Sequence, residues 1–202
     1  MKEKITERYS KETESFSLGC ANLSPFLAIR EGDHLLELGC GSGKQAARLA
    51  ALVGPKGIIV GLDLTSAMIE RARIENVDER LTFVEGDIHR LPFDEDSFDL
   101  VSSNCVINHS RDKKLVFAEI LRVLRPGGHF LIGDVMAVER LPEEVSSDPT
   151  AIADCYGGAI PKEEYLEIIR ALGFLRIEQL DSRIYPKAGF LLESVTLRGF
   201  KG

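Results

Sequence analysis

The stretch Glu37-Leu38-Gly39-Cys40-Gly41-Ser42-Gly43-Lys44-Gln45-Ala46-Ala47, ELGCGSGKQAA, closes the apolar run that starts at His34 and opens a helical one. Glycines at alternate positions let the backbone turn tightly and approach a ligand at the helix N-terminus, where unpaired N–H groups gather. A strand, a glycine turn and a helix in this order begin a parallel α/β sheet. The loop alone does not choose its ligand, because Gly41-x-Gly43-x-x-Ala46 also satisfies a loose dinucleotide fingerprint.

Outward from this stretch the same alternation repeats. Strand-like runs fall at 34–39, 57–63, 81–87, 98–104 and 129–135, and several are apolar almost throughout, as strands covered on both faces are. Helical segments run from Gly43 to about Val53 and from Thr65 or Ser66 to about Asn76. A third runs from about Asp112 to Arg125, with Phe117, Ile120, Leu121 and Leu124 on one face, Ser110 as candidate cap and Pro126-Gly127-Gly128 as stop. A fourth opens at Pro161, buries Tyr165, Ile168, Ile169 and Leu172, and ends at Gly173. The runs 175–183 and 190–200 are joined too closely for a parallel crossover and pair antiparallel. The expectation is α/β: a doubly wound, Rossmann-like, mostly parallel seven-stranded sheet with a C-terminal antiparallel hairpin. It forms one domain over 1–202, with 1–30 an N-terminal capping segment and 141–160 a long irregular insertion at the active site.

Composition narrows the function. A chain of 202 residues fills one well-packed domain. A net charge of −7 leaves no footprint for nucleic acid or an anionic membrane. No apolar run approaches the roughly 20 residues of a membrane span. The polar start MKEKITERYSKETES lacks the core of a signal peptide, so a cytoplasmic location is expected. Cys20, Cys40, Cys105 and Cys155 stand in no metal-finger spacing, and in a reducing compartment they are expected as thiols.

Asp63 ends the second strand, where a carboxylate can accept both ribose hydroxyls. Glu85-Gly86-Asp87-Ile88 puts another acid at the end of the third, suited to an adenine amino group. With LPFDEDSFDLV (91–101) and LRPGG (124–128), this set resembles the class I methyltransferases that use S-adenosyl-L-methionine. The resemblance implies that Gly39, Gly41 and Gly43 lie under the methionine part and that Asp63 binds the ribose. It implies further that Leu64 flanks the adenine, that Asp87 and Ile88 hold its edge, and that Asn104 sits near the amino-acid end. Cys40 takes a variable small position inside the loop.

The other cysteines need a different account. Ligands of open α/β sheets bind outside the carboxyl ends of the strands. Cys105 follows the fourth strand at that edge, Cys155 lies in the insertion leaving it, and Cys20 precedes the first strand in a segment able to fold back. Thiols facing a methyl sulfonium would compete for the methyl group unless a soft, thiophilic acceptor occupies them. SNCVIN (103–108), LPEEVSSDP (141–149), DCYGGAIPKEEYLEIIRALGF (154–174), SVTLRGF (194–200) and SLGCANL (17–23) resemble the arsenite methyltransferase family. The resemblance implies that Cys20, Cys105 and Cys155 bind trivalent arsenic, supplied as arsenite or a thiol conjugate, with a thiol reductant as partner.

Two alternatives stay open: a methyltransferase for a small organic acceptor, and a thiol-based metalloid or metal sensor on the same scaffold. His109 is the natural base for oxygen methylation, but after the cysteine motif it is expected as a loop or core residue. His34, His89 and His129 are expected to be structural, and Asp94-Glu95-Asp96 a solvated turn.

Overall fold

Alternate residues of the central strands feed two separate cores, and this decides the layering. A computed structural model describes residues 2–10 and 21–202. Among them, α1 spans Lys2–Ser10, β1 His34–Leu38, α2 Lys44–Ala50, β2 Ile58–Asp63, α3 Ser66–Glu75 and β3 Leu81–Glu85. Then follow β4 Phe98–Asn104, α4 Lys113–Val123, β5 Leu124–Ala137, α5 Glu143–Ser146, α6 Pro149–Ala153, α7 Lys162–Ala171, β6 Leu175–Lys187 and β7 Phe190–Phe200.

The seven strands form one sheet in the order β3-β2-β1-β4-β5-β7-β6. β1 to β5 pair in parallel, and β7 inserts antiparallel between β5 and β6. This is the doubly wound sheet with a terminal hairpin that the alternation implies. Successive side chains of a strand point to opposite faces. Thus Leu36, Leu38, Val101, Phe130 and Ile132 join one core with α4 and α7, while Leu35, Leu100 and Leu131 join the other with α2 and α3. Both faces are dry, which is why the strands read as continuous apolar runs.

The α4–α7 core centres on Phe117. Its ring meets those of Phe130, Tyr165 and Phe174 edge-on, with centroids 5.7, 5.5 and 6.3 Å away. Such contacts add to the area an aromatic ring removes from water.

Several boundaries differ from the sequence reading for local reasons. The cap of α4 is Asp112, whose side chain accepts from the Leu115 N–H at 2.9 Å, and Ser110 is used elsewhere. β5 begins at Leu124, with Pro126-Gly127-Gly128 carried inside the strand beside a register shift in β4. Residues 141–160 are not irregular throughout. Pro149 starts α6, and the Asp148 carboxylate accepts from the Thr150 and Ala151 N–H groups. α1 is a polar helix that composition did not flag; it lies against α6, where Arg8 pairs with Asp154 at 2.7 Å. No described helix is long and apolar enough to cross a membrane.

Phe117→Ala removes the ring that three aromatic neighbours share and leaves a cavity they cannot close. The expected loss is about 3–5 kcal/mol, read as a melting midpoint lower by roughly 10 °C in a domain of this size.

Candidate functional site

Parallel pairing brings the ends of β1, β2, β3 and β4 to one edge. Gly39 and Cys40 both donate to the Leu62 carbonyl, at 2.7 and 3.0 Å, so the glycine turn is bound to β2 as it leaves β1. Gly39 and Gly43 have left-handed φ of 69° and 77°. A Cβ at Gly39 would lie 2.2 Å from the Val106 side chain, and one at Gly43 2.6 Å from Phe83. Gly41 faces open space. Asp63 ends β2 with Oδ2 accepting from Gly41 N–H at 3.0 Å and Oδ1 from Thr65 N–H at 2.9 Å. Leu64, Asp87 and Ile88 stand half-buried along the same edge. Asn104 ends β4; its amide donates to the Ala21 carbonyl at 2.9 Å, and its Oδ1 is buried with no partner among the described residues.

Two members of this edge were not assigned from sequence. Glu37 is buried, one carboxylate oxygen has no partner among the described residues, and burial raises its pKa to about 8. The signal was a charged residue inside an apolar strand, which is rarely carried there without a role. His89 is not isolated: Nδ1 lies 2.6 Å from Asp87 Oδ1 and Nε2 2.7 Å from Ser110 Oγ. Cys40 is a buried core residue whose thiol is pushed well above its ordinary range, by burial first and then by Glu37 and Asp63. His34 Nδ1 lies 3.3 Å from the Arg125 guanidinium, and His129 is stacked on Phe200. Asp94, Glu95 and Asp96 are exposed, with Asp96 paired to Lys201.

Cys105 and Cys155 come together at the end of this edge. They share one apolar cluster with Val135, Ala137, Leu141, Ala159 and Leu192, walled by Tyr156, Tyr185 and Phe190. Cys155 Sγ lies 3.3 Å from the Cys105 carbonyl oxygen across 50 residues of sequence. Both have left-handed backbones, φ 58° and 64°. For a residue with a Cβ this carries roughly 1–3 kcal/mol of strain, which persists only where the surroundings hold it. Cys155 keeps its thiol, whereas Cys105 is in disulfide form, against the expectation of thiols throughout. Cys20 lies outside the described residues.

Two buried side chains hold the cysteine turns against each other. The Asn108 amide donates to Val135 O at 2.5 Å and to Cys155 O at 3.4 Å. Lys113 Nζ donates to Ser110 O at 3.0 Å and to Gly158 O at 2.8 Å. A Cβ at Gly158 would fall 1.8 Å from the Asn108 carbonyl oxygen, so the two turns touch backbone to backbone. Val106, beside Cys105, packs on Gly39, so the cysteine cluster adjoins the glycine turn.

The family described as "Methyltransferase domain" matches residues 29–173. An arsenite methyltransferase of Halobacterium salinarum is 37% identical over 164 residues, covering 80% of this chain and 42% of the relative. The arsenite methyltransferase of Homo sapiens is 36% identical over 69% of this chain and 40% of its own length. This chain therefore spans less than half of these relatives. A crystal structure of an arsenic (III) S-adenosylmethionine methyltransferase from Chlamydomonas reinhardtii superposes with a TM-score of 0.77. It shares 37% identity over 85% of this chain and 64% of that one.

The raised pKa of Glu37 has a sign in stability. The folded carboxyl keeps its proton where the unfolded one has lost it, so its contribution is full below about pH 4.5 and lost as pH rises through about 8. Glu37→Gln keeps an acceptor for the Ala46 N–H without a charge. Urea midpoints of the ligand-free protein at pH 5 and pH 8 should fall more in the wild type than in Glu37→Gln.

Proposed function

This chain belongs to the family of S-adenosylmethionine-dependent methyltransferase domains, and we propose that it transfers the methyl group to trivalent arsenic held on cysteine sulfur. One observation carries the reading: two strained cysteines, 50 residues apart in sequence, meet in a single apolar cluster beside the glycine turn. Left-handed non-glycine residues cluster at functional sites because something else must hold them there.

The residues of the edge fit the methyl donor. Gly41 leaves open space over the turn. Asp63 offers a carboxylate at the end of β2 for the ribose, and Asp87 with Ile88 lies where an adenine edge would rest. The unpartnered Asn104 Oδ1 suits the ammonium of the amino-acid end. The donor supplies an electrophilic methyl group on a sulfonium.

The protein's share is capture and positioning. A thiol reductant first opens the disulfide at Cys105: two reductant thiols are oxidised and the cysteine sulfurs receive their protons. Arsenite then exchanges hydroxyls for sulfur at Cys105 and Cys155, with Cys20 as the third ligand, and each exchange releases one water. Thiophilic centres bind thiolates, so each thiol proton leaves as its bond to arsenic forms. The trivalent arsenic keeps its lone pair and carries no proton, so the chain needs no general base for the transfer step. Holding acceptor and donor in line can supply roughly 7–11 kcal/mol of the barrier.

Labelled S-adenosylmethionine, arsenite and a thiol reductant give the assay. Cys105→Ser and Cys155→Ser should each lower methylation of arsenic at least about 100-fold, the scale of a misplaced reactant, with donor affinity little changed. Methylation that survives the double variant refutes the reading. Arsenite binding without transfer supports a sensor instead.

A further inference from the structure

His109 closes the turn that begins at Cys105, and both of its ring nitrogens are used. Nδ1 lies 2.9 Å from the Ile152 carbonyl oxygen. A carbonyl only accepts, so Nδ1 carries the hydrogen and Nε2 keeps its lone pair. Nε2 lies 3.4 Å from Cys155 Sγ. The Cys155 S–H therefore has two acceptors in reach, this nitrogen and the Cys105 carbonyl. Thiol, base and a third group that orients the base stand in one chain, the arrangement that activates a sulfur nucleophile.

Resting on the arsenite reading, we propose that His109 carries the Cys155 thiol proton away as the sulfur–arsenic bond forms. The step exchanges one S–H and one As–OH for one S–As bond and one water. Nε2 takes the thiol proton, sulfur closes on arsenic, and the departing hydroxide takes the proton from Nε2. The imidazole ends as it began, and no oxidant or reductant is consumed.

With Nδ1 holding its hydrogen on the Ile152 carbonyl, Nε2 presents its lone pair to Cys155 Sγ. The turns that carry the pair are fixed by Asn108 and Lys113, so the sulfur and the nitrogen stay in register while hydroxide departs.

Arsenite alone, added to the reduced 202-residue chain, is the probe. Rapid quenching with a maleimide, followed by mass spectrometry of the Cys155 peptide, gives the rate at which arsenic protects that sulfur. His109→Leu fills the volume without a base and should slow protection at least about tenfold, the low end of proton-transfer catalysis. His109→Gln keeps an acceptor that cannot relay a proton and should remain slow. Free imidazole should restore the rate in His109→Ala. Protection at the wild-type rate in His109→Leu overturns the proposal, and so does a slow His109→Ala that imidazole does not rescue. A wild-type chain whose Cys155 arsenite never protects refutes the arsenite reading itself, and the relay with it.

Discussion

Parallel pairing of β1, β2, β3, β4 and β5 is the constraint on which the site depends. In a parallel sheet every strand ends at the same edge, and every crossover must leave from it. The glycine turn, Asp63, Asp87, Asn104 and Cys105 are neighbours for this reason, though 66 positions separate the first from the last (39 to 105). The register is fixed on both faces at once. A slip by one residue would carry Leu36 and Val101 out of the α4–α7 core and Leu35 and Leu100 out of the α2–α3 core. The geometry of the edge is therefore secured by two hydrophobic cores, one on each face of the sheet.

The second tier is polar and buried. Tyr165, whose ring packs on Phe117, donates from its hydroxyl to Asp134 at 3.0 Å. Asp134 also accepts from the Val135 and Asn108 N–H groups, and Lys113 is close enough to lower its pKa against the rise that burial causes. Asn108 and Lys113 pass the restraint on to the cysteine turns. Each hydrogen bond contributes about 0.5–1.5 kcal/mol net, which is the scale of the strain at Cys105 and Cys155. Together such bonds suffice to hold two unfavourable backbones in place. The strain is thus local, while its compensation reaches back to the aromatic core.

The fold was legible because its signals are local. Apolar runs, glycine and proline stops and the short link before β7 can each be read in a window of ten residues. The span of β4 matches its sequence boundaries residue for residue. α6 also had a local signal, Asp148-Pro149, masked by the polar residues around it. α1 had none, being polar, with Ile5 the buried apolar side chain among its described residues. The candidate site was legible in part. Cys105 and Cys155 share an edge that topology alone implies. Their contact, the disulfide at Cys105, and the roles of Glu37 and His109 depend on partners that no window contains. His109 meets Ile152 and Cys155 across 43 and 46 residues, so its environment reads as an ordinary loop.

The cysteine cluster also bears on which arsenic species is compatible with it. Its lining is aliphatic and aromatic, and Cys155 is 1% exposed. A solute entering such a cluster loses its hydration, and a charged one loses far more than a neutral one. Trivalent arsenous acid is uncharged at neutral pH, whereas the pentavalent oxyanion carries charge and has no lone pair to offer. Exclusion by desolvation and exclusion by chemistry then act in the same direction. On the arsenite reading, one apolar lining both admits the neutral thiophile and bars the charged species that cannot react.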